Sequence, residues 1–260
     1  GVALMSFSWQ LAQAVSAALM LLAVREYLGK KRWTLIGLLM GLVAASRITA
    51  GIGIIFFILD IAFSGGGLRQ KMKTLAKLCA PFAIIVALIF TYNHLRFGNF
   101  LEAGYTYQVL FDATAQSRDV GLFSLSHLAR NLKASLINMP QYSQAGGSGL
   151  IKLPGLAGNP WGMSIFLTSP YLFWLFFWRR YDKTSLFLVF SIAAVFLALA
   201  LSFGTGYKQF GYRYGLDFFP LLYLLFISNY YKKNKGLSPL MRTLIYISSI
   251  FNLYLFFTIY

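Results

Sequence analysis

Cysteine is almost missing: Cys79 stands alone in 260 residues, which excludes an internal disulfide and any thiolate metal site. Histidine is nearly as scarce, and His94 and His127 fall at no metal-ligand spacing from each other or from the scattered carboxylates. A metal is therefore not indicated, and no cofactor is expected. Charge is also sparse. Charged residues make up 12% of the chain against 58% hydrophobic, a balance that no soluble domain of this length could hide in one core. The opening Gly1-Val2-Ala3 has neither an initiator Met nor a basic stretch, so no signal peptide is read there and the chain is expected to be part of a longer one.

What is present points to membrane helices. The aromatics, 25 Phe, 16 Tyr and 5 Trp, crowd the edges of apolar runs as interface belts do, and the mean hydropathy is +0.65. The net charge of +16 would suggest nucleic acid in a soluble protein. Here the basic residues sit in short clusters between apolar runs, where topology places them, so no nucleic-acid partner is expected.

Spans of roughly 20 residues are needed to cross the hydrocarbon. They are read near Val2 to Leu28, Leu78 to Tyr92, Met163 to Trp178, Ser185 to Phe203, Leu216 to Tyr230 and Leu240 to Tyr260. Trp33 to Phe63 is either one span or two short helices meeting near Ser46-Arg47-Ile48-Thr49. As one span it divides Lys and Arg 11 to 11, whereas as a hairpin it gathers 15 of the 23 on one face against 8. The hairpin also lifts Arg47 out of mid-bilayer, avoiding a cost of about 2.5 to 3.5 kcal/mol. Gly37-x-x-x-Gly41 and Gly51-x-Gly53 would let its two arms approach closely. The expectation is an all-α, polytopic bundle over 1–260 with about eight membrane helices, both ends extracytoplasmic and the basic face cytoplasmic.

Between two spans lies an extracytoplasmic insertion, Asn93 to Gly162, far longer than an ordinary connection. Leu122, Leu125, Leu128, Ala129, Leu132, Leu136 and Met139 recur in it at helical spacing, opposite His127, Arg130 and Asn131. This predicts a helix lying in the interface. Gly146 to Gly149 and Gly155 to Asn159 read as flexible surface chain.

Chemistry is expected at the extracytoplasmic rim. Arg47, Arg96, Lys208 and Arg213 are candidate ligands of a lipid phosphate, because guanidinium forks hold two phosphate oxygens. Tyr105, Tyr107, Trp161, Tyr212 and Tyr214 are candidate sugar or acceptor contacts, with interfacial anchoring as the alternative. Glu102 and Asp217 are candidate, secondary catalytic carboxylates. Gln10 and Gln13, one turn apart, read as interhelical glue or as the lining of a cavity.

Ser46-Arg47-Ile48-Thr49-Ala50, Arg96-Phe97-Gly98-Asn99-Phe100-Leu101-Glu102-Ala103-Gly104-Tyr105, Asn159-Pro160-Trp161-Gly162 and Arg213-Tyr214 ahead of Pro220 together resemble the membrane portion of C-type (GT-C fold) glycosyltransferases. These include the protein O-mannosyltransferases and the lipid A aminoarabinose transferase. The resemblance implies an enzyme of the bacterial inner membrane that transfers a sugar from a polyprenyl-phosphate carrier to an acceptor hydroxyl on the extracytoplasmic side. It implies a principal carboxylate base in a first outer loop, expected upstream of Gly1, and places Arg47, Arg213 and Tyr214 at donor-phosphate or structural positions. Ile48 stands where the family often has Pro. A transporter or lipid flippase, with its broken helix at Arg47, and a non-catalytic membrane subunit are the other readings.

Overall fold

The computed structural model describes residues 8–110, 112–144, 149–151, 154–177, 182–207 and 209–259. Among the described residues four helices are long and apolar enough to cross a membrane: α1 (Ser8–Leu28), α5 (Leu68–Phe97), α9 (Lys183–Leu201) and α11 (Pro239–Ile259). Between them come α2 (Trp33–Ser46), α3 (Ile48–Gly51), α4 (Ile54–Ala62), the helices α6 (Asp112–Asp119) and α7 (Leu128–Leu132) of the long insertion, then α8 (Ile165–Thr168) and α10 (Phe219–Tyr231).

The hairpin expected over 33–63 is present in altered form. α2 stops at Ser46, Arg47 is extended (φ −152°, ψ 109°), and α3 starts at Ile48. Gly51 makes the reversal possible, since a Cβ there would sit 2.6 Å from that of Ala44 on α2. The other glycine pair has a different partner from the one expected. Gly37 faces the Leu78 carbonyl and Pro81, and Gly41 faces Ile85, so this small-residue stripe seats α2 against α5 instead of against its own second arm. Gly53 meets Met20 and Leu221.

One core lies among α1, α2, α4, α9 and α10, built on Met20, Ile36, Met40, Phe56, Phe57 and Leu221. A second, with Tyr212, Phe218, Val195 and Tyr230, joins α9, α10 and α11. α5 is peripheral, buried only at Leu78 and Asn93. Its Ile84, Leu88 and Leu95 are exposed, as suits a helix facing lipid.

Two expected spans take other forms. Met163 to Trp178 is no continuous helix over its described residues, because α8 ends at Thr168 and a 3-10 turn follows over Pro170–Phe177. Pro170 explains the break: it cannot extend the preceding helix and biases Ser169 away from helical backbone. Leu216 to Tyr230 is divided between the 3-10 turn Arg213–Asp217 and α10, of 13 residues.

The interfacial segment is helical but irregular, running as a 3-10 turn (Leu125–His127), α7 and a π-helical turn (Lys133–Ile137). Its polar face turns inward. Asn131 is buried and donates to the carbonyls of Leu199, Ala200 and Ser202 at 3.3, 3.0 and 2.6 Å, while Arg130 reaches the Phe203 carbonyl. These are the orphan acceptors at the end of α9. Leu125, Ile137 and Met139 point out. Gly155–Ala157, expected as flexible chain, is β2, paired antiparallel with β1 (Gln141–Ser143). Gly158 donates to Thr258 on α11; residues 146–148 lie outside the described ones.

Candidate functional site

The extended residue Arg47 delivers its side chain to the segment before α10. Its Nε donates to Asp217 Oδ1 at 2.6 Å, and Thr49, just past the break, donates its hydroxyl to Oδ2 at 2.5 Å. Asp217 is 1% exposed, so both of its oxygens are enclosed and occupied. The Arg47 guanidinium lies over the Tyr214 ring, 5.1 Å from its centroid, and Arg213 lies over the same ring at 5.2 Å. Tyr212 packs edge-on against Tyr214 at 6.0 Å. Gly204 leaves room for the Tyr214 hydroxyl, which a Cβ there would approach within 3.2 Å.

Two guanidinium groups thus share one aromatic ring, and the single carboxylate pairs with only one of them, which leaves the cluster with an excess positive charge. Arg47 is neutralised by Asp217. Arg213 is not: its Nε and Nη1 are buried and have no hydrogen-bond partner. Enclosed N–H donors of a permanent cation without an acceptor are costly and mark a place suited to an anion.

Tyr105 comes to the cluster from the long insertion. Its ring meets Phe203 edge-on at 5.9 Å, and Arg118 fixes its strand of chain by donating to the carbonyls of Tyr105, Thr106 and Gln108. Although 38% of Tyr105 is exposed, burial of its hydroxyl end raises that group's pKa. The nearby Arg47 acts in the opposite sense, while Tyr214 and Asp217 add to the rise.

Not every expected residue joins them. Arg96 remains on α5, against the rings of Tyr92 and Phe97, and Tyr107 stacks on Phe97 at 5.3 Å. Trp161 packs with Tyr207 at 4.8 Å and pairs along the chain with Gln209. Lys208 lies outside the described residues. Glu102 closes its own turn, accepting from the Thr106 hydroxyl at 2.6 Å and the Gly104 amide at 2.5 Å. The Thr106 hydroxyl foremost, aided by the amides of Gly104, Thr106 and Tyr105, holds its carboxyl below the usual carboxylate range although desolvation opposes it. Such a group is a poor proton acceptor near neutrality.

Three residues of the site were not singled out for it from sequence. Thr49 is the second ligand of Asp217. Gln209, 1% exposed, donates to the carbonyls of Trp161 and Thr205 and accepts from the Arg213 amide, tying three segments together under the arginine. Thr205 in turn donates to Asn131 at 2.8 Å. The sequence signal for Gln209 was modest: a lone amide inside Gly206 to Gly211, where Gly206 and Gly211 adopt positive φ.

Between the π-helical turn, α8 and α11 lies an apolar groove of about 490 Å³ whose walls include Ile137, Met139, Phe166, Phe173 and Ile247. Thr168, which is not among its lining residues, faces Gly211 and accepts from Asn252 through its carbonyl. Among the described residues no three His, Cys, Asp or Glu side chains gather as a metal site. Compared with protein-family models, curated proteins and solved structures, the chain matches none.

Proposed function

We propose that the chain is the membrane body of a glycosyltransferase that binds a polyprenyl-phosphate sugar donor, its phosphate on Arg213 beside the Arg47–Asp217 pair. The observation that carries this reading is the imbalance on the Tyr214 ring: two guanidinium groups, one carboxylate, and buried Arg213 N–H groups without an acceptor. An apolar groove of the kind an isoprenoid chain needs lies elsewhere in the bundle, between the π-helical turn, α8 and α11. The basic end of the bundle, with Arg25, Lys30, Lys31, Arg32, Lys71 and Lys73, would face the cytoplasm, and the Arg47 end the other side.

In this reading the acceptor hydroxyl oxygen bonds to the anomeric carbon, and the bond from that carbon to the phosphate oxygen breaks. The phosphate leaves with the electron pair, and Arg213 neutralises the charge gained. Asp217 positions Arg47 and Thr49. The hydroxyl proton goes to the outer-loop carboxylate base that the resemblance implies, while the Glu102 oxygens are engaged by its own turn. Tyr105 offers its ring to the sugar, while the Tyr214 ring is taken up by the two guanidinium groups.

The test is retention of a radiolabelled isoprenyl-phosphate hexose by the purified protein in lipid nanodiscs, followed by release of the sugar to an acceptor hydroxyl in membranes. Arg213→Ala should weaken retention and Arg213→Lys should recover part of it. Equal retention of an uncharged isoprenol would refute the phosphate site. Movement of the lipid between leaflets with its sugar intact would favour the flippase reading, for which the break at Arg47 between two short apolar helices is the motivating feature.

A further inference from the structure

Buried polar side-chain atoms without partners are uncommon in folded proteins, and among the described residues all of them except Asn252 Oδ1 lie on two elements in contact. Gln10, Gln13 and Ser16 occupy the buried face of α1, 2%, 1% and 1% exposed. Farther along, the same face continues as Met20, Ala23, Val24 and Tyr27 in the apolar core. Gln10 Oε1, Gln13 Oε1 and Nε2, and Ser16 Oγ have no partner, and neither do Arg213 Nε and Nη1. α1 packs against the 3-10 turn that begins at Arg213.

Ordinary helix packing does not account for this stripe. Ser135 and Ser191 satisfy their hydroxyls on carbonyls one turn back, at 2.8 and 2.7 Å, as serines inside helices commonly do, whereas Ser16 does not. A glutamine placed for interhelical bonding would have an acceptor or donor across the interface, and Gln13 has neither.

The unmet groups specify their ligand. Arg213 and the Gln13 amide offer N–H donors and need acceptor oxygens. The carbonyl oxygens of Gln10 and Gln13 need donors, which a phosphate anion does not supply. A hydroxylated phosphate supplies both. We infer that the face of α1 bearing Gln10, Gln13 and Ser16 is a hydroxyl-reading subsite that holds the sugar of a sugar-phosphate headgroup while Arg213 holds the phosphate. The subsite rests on the donor reading for its phosphate and adds to it a determinant of which sugar is accepted.

The experiment compares binding of two probes to the full chain in nanodiscs: a short isoprenyl phosphate, and the same lipid carrying one hexose on its phosphate. The unsubstituted protein should bind the hexosyl form about tenfold tighter, the worth of one or two extra hydrogen bonds. Gln10→Met/Gln13→Met, close in shape, should abolish that preference while leaving the bare phosphate unchanged, and Arg213→Ala should weaken both. Melting of the variant at or above the original temperature verifies folding, because the substitution removes unpaired buried polar atoms. If the double variant melts early, Ser16→Ala carries the same comparison, with a smaller loss expected. Equal binding of both probes by the unsubstituted protein, or a preference that survives the substitutions, overturns the subsite while leaving the phosphate reading standing, and points to buried water as the partner of α1. Failure of the bare phosphate to bind at all refutes the donor reading, and the subsite falls with it.

Discussion

Breaking the Arg47–Asp217 pair tests the site as a physical object, independently of any substrate. Arg47→Met keeps an unbranched stem but removes the guanidinium, leaving Asp217, 1% exposed, with only the Thr49 hydroxyl. Removing one partner of a buried pair costs about 3–5 kcal/mol, because the remaining charge is stranded away from water. Asp217→Leu should cost less. Arg47 is 16% exposed, so it reaches solvent in part and keeps the face of Tyr214. In the double variant no charge of the pair is left behind, and its loss should fall short of the summed single losses by about 2–3 kcal/mol. The assay is a double-mutant cycle on reversible unfolding in lipid nanodiscs, followed by intrinsic fluorescence. Additivity within about 0.5 kcal/mol would show that the two side chains do not share a desolvated pair, and the description of the site would be wrong.

Other expectations concern the bundle and its insertion. Ile48, exposed at the helix break, should react as Ile48→Cys in a Cys79→Ala background with an impermeant maleimide added on the extracytoplasmic side; labelling only after permeabilisation would invert the orientation. Gly37→Ala should destabilise by about 1–3 kcal/mol in thermal unfolding, since its Cβ would collide with the Leu78 backbone, while Gly65→Ala, with open space around it, should be neutral. Glu102→Gln should leave sugar transfer unchanged. Because the Glu102 carboxyl is held below its ordinary 4.5 in the folded chain, its support of the 102–106 turn is complete above that pH and disappears as pH falls through the lowered value. Hydrogen exchange at the Gly104 amide, corrected for its intrinsic rate, should therefore accelerate only in acid, and protection unchanged down to the lowest pH would refute the turn's dependence on charge.

Hydropathy and charge clustering made α1, α5, α9 and α11 legible, because long apolar runs between basic groups have few other solutions in a bilayer. The break at Arg47 was also readable, from the cost of an arginine in hydrocarbon. Arg47 and Arg213 stand out in the sequence as candidate ligands of a lipid phosphate, but their approach is not derivable from it: 166 residues separate them, and their meeting depends on the backbone between Gly206 and Asp217 folding over Gln209. Pattern reading overran in Met163 to Trp178, where apolar content resembled a span but Pro170 divides the chain. Glu102 attracted notice as an acid among aromatics, yet its geometry is local, set by residues two and four positions away. Periodicity does not reveal whether a polar side chain is satisfied by its own turn or by a distant partner.

The grip of Asn131 on the end of α9 has a consequence for the surrounding lipid. A free helix accommodates a thicker or thinner bilayer by sliding along its axis, but a shift of one residue, about 1.5 Å, would tear the Leu199, Ala200 and Ser202 carbonyls from a single amide group. At 19 residues α9 spans about 28 Å, close to the hydrocarbon thickness of an ordinary bilayer, and it is clamped at that depth. Mismatch around α9 must therefore be absorbed by acyl chains stretching or compressing, which favours residence where the membrane already has that thickness.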